Sequence, residues 1–229
     1  MQNILRFFII SLFCLLGINT ANAQVKKNKT DSIIKANYRG LRLDLDLASI
    51  ASNVINNGEK YGYEAGIYVD MKHKYFPALE IGYGGADKTS TSGVNYSTNG
   101  MYTRLGVDFN LIKPKKDKAP INNIFFAGAR LAFSPFKYEY SNLSIQDNYW
   151  NQTITHTSKN ERTTSVWFEI VAGMRVEITR NIYMGWTVRN KKLLGEDVIG
   201  QLSPWYIPGF GVKGEGSSWG MNYSVGYRF

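Results

Sequence analysis

In eight separate stretches between Leu41 and Phe229 the apolar residues return at every second position. That is the period of a β-strand with two unlike faces, and it does not suit a helix. In "LRLDLDL", Leu41, Leu43, Leu45 and Leu47 point one way, while Arg42, Asp44 and Asp46 point the other. The same scheme runs through "YGYEAGIYVDM" from Tyr61, "ALEIGYG" from Ala78, "MYTRLGVDFNL" from Met101 and "IFFAGARLAF" from Ile124. It continues in "VWFEIVAGMRVEI" from Val166, "IYMGWTVR" from Ile182 and "WGMNYSVGYRF" from Trp219. An even number of strands suits an antiparallel meander that closes on itself. The pattern therefore predicts an all-β chain, an eight-stranded antiparallel up-and-down β-barrel. On that reading the last strand pairs with the first, and the barrel needs nothing beyond Phe229.

A soluble sandwich would alternate too, with its apolar side chains turned into a core, so the other face decides. Its acids are Asp44, Asp46, Glu64, Asp70, Glu80, Asp108, Glu169 and Glu177; its bases are Arg42, Arg104, Arg130, Arg175, Arg189 and Arg228. Every base is arginine, and no lysine is expected at a mid-strand position on that face. A solvated sheet uses lysine freely, whereas the planar five-donor guanidinium is favoured where carboxylates must be paired in a closed space. Glycines such as Gly62, Gly82, Gly106, Gly128 and Gly226 leave room for these long side chains. The polar face is thus expected to fill a narrow lumen and the apolar face to meet lipid. An unpaired backbone group in hydrocarbon costs several kcal/mol, so only helices and closed barrels span a bilayer. The expected lumen network is Arg42, Asp44, Glu64, Glu80, Arg104, Asp108, Arg130, Glu169, Arg175, Glu177 and Arg189.

The connections alternate in length. Ser49–Glu59, Ala86–Asn99, Phe136–Thr164 and Asn190–Ser217 fall at one end, and Lys72–Pro77, Ile112–Asn123 and Thr179–Asn181 at the other. Longer outer loops and shorter periplasmic turns are expected of an outer-membrane barrel. The N-terminus fits export: Arg6, an apolar run through Leu16 and a small-x-small site at Ala21-Asn22-Ala23 make residues 1–23 a secretory signal peptide. Residues 24–37 form a polar leader and 38–229 the barrel, with both termini expected in the periplasm. Cleavage removes Cys14, the only cysteine, and takes the formal charge from +9 to +8 by losing Arg6. Much of that charge sits in an expected turn, Lys113, Lys115, Lys116 and Lys118, so nucleic acid is not an expected partner.

The closing "NYSVGYRF" has a final phenylalanine with Tyr223, Val225 and Tyr227 at alternate upstream positions. It resembles the C-terminal targeting signal of bacterial outer-membrane barrels, which in that family is read by the barrel-assembly machinery. Tyr38 to Phe229 resembles the small eight-stranded class typified by OmpA and OmpX. More narrowly, "GLRLDLD" and "YIPGFG…WGMNYSVGYRF" resemble an uncharacterised barrel family of the Bacteroidetes, which implies no activity.

Some small barrels modify lipid A at their outer rim, and such acid–base or serine chemistry usually needs a histidine. His73 lies in the turn "KHK"; His156 lies in the longest outer loop, with Ser158 near it and Asp147 upstream. Ser and Thr crowd that loop, so the expectation is a non-enzymatic protein, with a lipid A-modifying enzyme and a narrow channel as alternatives. An eight-stranded barrel leaves an interior just wide enough for side chains, which disfavours conduction. No metal or cofactor is expected: after cleavage no cysteine remains, the histidines are isolated and no phosphate-binding loop is present. Function is expected in the loops, where Tyr138, Tyr140, Tyr149, Trp150, Trp205, Tyr206 and Phe210 form a candidate patch for an extracellular protein or glycan. The alternatives there are aromatics packed on one another above the barrel, or strands five and six continuing outward.

Overall fold

A computed structural model describes residues 38–55, 58–112, 122–147, 152–197 and 202–229. The signal peptide, the polar leader, the Lys113–Lys118 segment, Tyr149 and Trp150 lie outside these residues, as does the His156 side chain. The strands are β1 (Tyr38–Asp46), β2 (Lys60–Met71), β3 (Tyr75–Thr89), β4 (Asn95–Asn110), β5 (Ile124–Asp147), β6 (Gln152–Thr179), β7 (Ile182–Asp197) and β10 (Ser217–Arg228). They close into one antiparallel barrel in the order β1-β10-β7-β6-β5-β4-β3-β2. A two-residue pair, β8 (Tyr206–Ile207) with β9 (Gly211–Val212), forms a small hairpin in the connection before β10. Closure runs through β1 and β10, with Leu43 opposite Tyr227 and Leu45 opposite Val225.

The two faces separate sharply. Leu105 and Ile170 are each 60 % exposed on the outside, whereas Asp108 and Glu169 are 0 % exposed and Arg104 and Arg130 2 %. The polar faces converge inside the ring, and the apolar faces form its outer wall.

Three expectations change. Leu47 does not continue the first strand but opens α1 (Leu47–Ile55). Asp46 ends β1 and caps that helix, accepting from the Ala48 amide at 3.0 Å and from Ser49 Oγ at 2.5 Å. Second, much of the expected loop sequence is strand. β3 and β4 run out to Thr89 and Asn95, and β5 and β6 continue to Asp147 and from Gln152. Beyond Ser141, opposite Asn95 of β4, and Thr164, opposite Asp197 of β7, β5 and β6 pair only with each other as a projecting ribbon. Asn142 (φ 60°) and Asn160 (φ 55°) lie where its register shifts, using the left-handed region that asparagine tolerates. Third, β7 extends past Arg189, which turns Lys191 into the lumen, where it is 8 % exposed. The polar face does carry a lysine within a strand.

Candidate functional site

The middle of the lumen is an arginine–carboxylate lattice assembled from seven strands. Glu80 of β3 receives Arg189 Nη1 at 2.6 Å, Arg130 Nε at 3.2 Å and Arg104 Nη1 at 3.5 Å. Glu64 of β2 receives Arg104 Nη1 at 2.5 Å and Arg189 Nη2 at 3.1 Å. Glu169 of β6 receives Arg189 Nη1 at 3.1 Å and the Trp167 indole N–H at 2.7 Å. Arg104 Nε lies 2.8 Å from Glu169 Oε1, an ion pair without the alignment of a hydrogen bond. Asp108 of β4 joins Arg130 Nη2 at 2.7 Å to Arg175 Nη2 at 2.8 Å. Asp44 of β1 holds Arg42 at 2.7 Å and lies 3.9 Å from Arg175. Five guanidiniums (42, 104, 130, 175 and 189) thus meet five carboxylates (44, 64, 80, 108 and 169), and the formal charge cancels. Buried ions remain charged only with such partners, since each leaves water at a cost of several kcal/mol.

Register makes the space. Arg130 sits opposite Gly106, Asp108 opposite Gly128, Arg175 opposite Gly185, and Asp44 opposite both Gly66 and Gly226. A Cβ on Gly106 or Gly226 would collide with the neighbouring strand or with Asp44. Large inward side chains therefore face glycine across the ladder, and the lattice closes without voids at those points.

At the end bearing the long connections the filling changes from ionic to aromatic. Tyr96, Tyr102, Phe136, Tyr138 and Trp167 pack around Ile207 and Phe210 of the β8–β9 hairpin, which folds into the barrel mouth. Tyr138 is 2 % and Phe210 0 % exposed, with Tyr140, Trp205 and Tyr206 packed against them. This corrects the expected patch: its described members form the packing of a plug rather than an open surface. The phenols of Tyr96, Tyr138 and Tyr140 donate to the carbonyls of Tyr206, Leu202 and Ser203 at 2.9, 2.7 and 2.8 Å. Burial among these rings pushes the Tyr140 phenol up to about 12. The plug also reaches the ionic layer. The Gly209 carbonyl accepts from Arg104 Nη2 at 2.8 Å and from Lys191 Nζ at 2.7 Å, and the Phe210 carbonyl accepts from Lys191 at 3.1 Å. Gly209 has φ +80°, and a Cβ there would meet the Tyr102 ring at 2.5 Å, so glycine is the residue that fits the tip.

Residues 4–229 match a family model described as a domain of unknown function, DUF6048. The chain belongs to the DUF6048 family. A comparison with curated proteins finds no match.

At the opposite end, this DUF6048 barrel does not bring Glu177 into the lattice. Its carboxylate accepts from Asn122 Nδ2 at 2.5 Å and from the Asn181 amide at 3.2 Å, bracing the tight β6–β7 turn. Arg42 and Arg175 stack over the Tyr68 ring at 4.7 and 4.2 Å, and Arg175 over Phe126 at 4.0 Å. Arg42 Nη2 and Arg175 Nη1 have no hydrogen-bond partner among the described residues, and the ring faces carry part of their stabilisation. Asp70 holds the next turn, accepting from the His73 amide at 2.7 Å with His73 Nδ1 at 3.4 Å. His73 is therefore a turn residue held by the Asp70 carboxylate. His156 pairs through its backbone with Leu143 in the ribbon. Among the described residues no three His, Cys, Asp or Glu side chains gather where they could hold a metal ion.

Tyr223, Val225, Tyr227 and Phe229 fall along β10 and its end. Tyr223 lies edge-on to Trp186 at 6.1 Å; Tyr227 and Phe229 pack edge to face at 4.9 Å on the exposed outer surface. The Phe229 amide donates to Leu41 O at 2.9 Å, adding one bond past the last strand residue.

Lys191, Trp167, Tyr68, Tyr102 and the Gly209 carbonyl were absent from the expected network. The four side chains follow from the alternation once β7 is carried beyond Arg189 and inward aromatics are counted with the charges. The carbonyl had no signal, because backbone acceptors leave no trace in side-chain pattern.

Proposed function

We propose that this DUF6048 protein is a non-enzymatic outer-membrane β-barrel of the small OmpA/OmpX-like class, an envelope component with a sealed lumen and no cofactor. It is exported by its signal peptide, inserted by the barrel-assembly machinery through its C-terminal strand, and set with both termini in the periplasm. The observation that carries this reading is the inversion of faces: Leu43, Leu105, Leu131, Phe133 and Ile170 stand on the outer wall while the ions are enclosed. Soluble monomers rarely expose contiguous apolar patches beyond a few hundred Å², and a belt around a closed barrel is what a bilayer would cover. The ionic lattice and the plug occupy the path a channel would need. The projecting β5–β6 ribbon, rather than the packed aromatics, is the part positioned to meet a protein or glycan outside the cell.

Cell fractionation with heat-modifiable gel mobility tests this. The folded chain is expected in the outer-membrane fraction, migrating differently before and after boiling. Recovery from the aqueous periplasm without detergent would overturn the proposal.

A further inference from the structure

On the outer wall, Lys137 of β5 and Arg162 of β6 sit directly opposite one another in the ladder, and both are exposed. Like charges placed so are destabilising. Neither has an ion pair among the described residues. Glu139 is the next outward residue along β5, and it forms no ion pair with either cation among the described residues. Two adjacent exposed cations without an ion pair are placed to take an anion from outside the chain.

Beside the pair the ladder keeps its register but loses backbone bonds. Pro135 has no N–H, and the β4–β5 register passes from Gly100–Phe136 to Thr103–Phe133 without pairing Met101 or Tyr102. Ser134 Oγ donates to the Met101 carbonyl at 3.0 Å, satisfying that acceptor in the gap. The result is an outward groove of about 510 Å³, floored between β4 and β6. Its chemistry is graded. Tyr83 and Met101 line the end toward the apolar belt, and Lys137 and Arg162 line the end toward the ribbon. A molecule with an acyl body and an anionic head would match both ends in that order.

We infer that this groove binds the phosphate-bearing headgroup of a membrane lipid, its phosphate between Lys137 and Arg162 and its acyl chains along Tyr83 and Met101. The inference rests on the outer-membrane reading above, in which the groove lies where hydrocarbon gives way to headgroups. There the two cations serve as a fixed counter-charge to the leaflet, and the repulsion between them is relieved by the lipid. In the outer leaflet the phosphate source is lipid A.

The full barrel, folded in a non-ionic detergent, is mixed with bis-phosphorylated lipid A, with its monophosphorylated form or with phosphatidylcholine. Retained lipid is counted by native mass spectrometry and the melting temperature is followed. Retention is expected to fall in that order. A basic residue at a membrane surface contributes about fivefold in binding, so Lys137→Ser or Arg162→Ser should each weaken lipid A retention about fivefold, and both together roughly twenty-five-fold. Without lipid the double variant should melt no lower than the parent, since it loses only a repulsion; with lipid A its melting temperature should not rise. Equal retention of lipid A and phosphatidylcholine, or of parent and double variant, would overturn the inference. If heat-modifiable mobility persists in that case, the barrel reading stands while the lipid site fails; its loss in membranes would remove both.

Discussion

The middle of the barrel and its mouth are filled by opposite chemistries. In the middle, five arginines and five carboxylates balance inside a wall whose outer face is apolar. At the mouth, tyrosine, phenylalanine and tryptophan rings close over a hairpin that comes from another part of the chain. The middle draws its ions from seven of the eight strands, and cross-strand glycines admit them. The mouth is filled in part from outside its own strands, by Ile207 and Phe210 of the β7–β10 connection. The two layers are tied where Arg104 and Lys191 hold the Gly209 and Phe210 carbonyls. Ionic filling gives a lattice in which every member but Arg42 has at least two ionic partners. Aromatic filling gives a lid held by packing and a few carbonyl bonds.

That contrast breaks most readily at Glu80, which bonds three guanidiniums. Glu80→Leu leaves buried positive charge uncompensated, with an expected loss of about 3–5 kcal/mol in urea unfolding of the refolded barrel. A loss below about 1 kcal/mol would mean that water, not Glu80, neutralises these arginines. Phe210→Ala should cost roughly 3 kcal/mol, yet the loss should be local. Hydrogen exchange should rise in residues 206–212 and at Tyr96 while the mid-barrel amides stay protected; uniform deprotection would merge the two layers into one unit. Gly209→Ala forces a side chain into a left-handed conformation against the Tyr102 ring. It should cost about 1–2 kcal/mol, read as the same exchange pattern at smaller amplitude. The smallest effect is the pH response of the lid. The Tyr140 phenol, ordinarily at 10.0, is raised to about 12 by burial, so the packed state favours its neutral form. Its contribution is complete below pH 10 and is lost as pH rises through about 12. Trp205 fluorescence should report loosening over that interval, and Tyr140→Phe should reduce the response while keeping the packing, the remainder coming from neighbouring phenols such as Tyr138 and Tyr206, which burial also raises.

The alternation exposed the middle layer from sequence because side-chain direction in a strand follows position alone. Arg104, Arg130, Glu169 and Arg189 could be placed inward before any coordinates. Glu177 shows where that stops: it has the right parity, but it lies at the turn, where asparagine side chains and a backbone amide reach it before any guanidinium does. Leu47 carried the parity of its strand and still left it, because Asp46 offered a helix cap that alternation does not register. The plug was hidden for a different reason. Its aromatics read equally well as exposed recognition residues or as packing, and only the fold decides which carbonyls Arg104 and Lys191 can reach.

The central claim is the direction of the two faces, and lipid-borne quenchers test it most directly. The only cysteine is Cys14, in the expected signal peptide, so single cysteines at Leu105, Leu131 and Ile170 can carry a fluorophore on an otherwise thiol-free mature barrel. In bilayers, nitroxides on the acyl chains should quench all three labels, with soluble iodide having little effect. Strong quenching by iodide with none from the lipid nitroxides would contradict the account, because the outer wall would then face water.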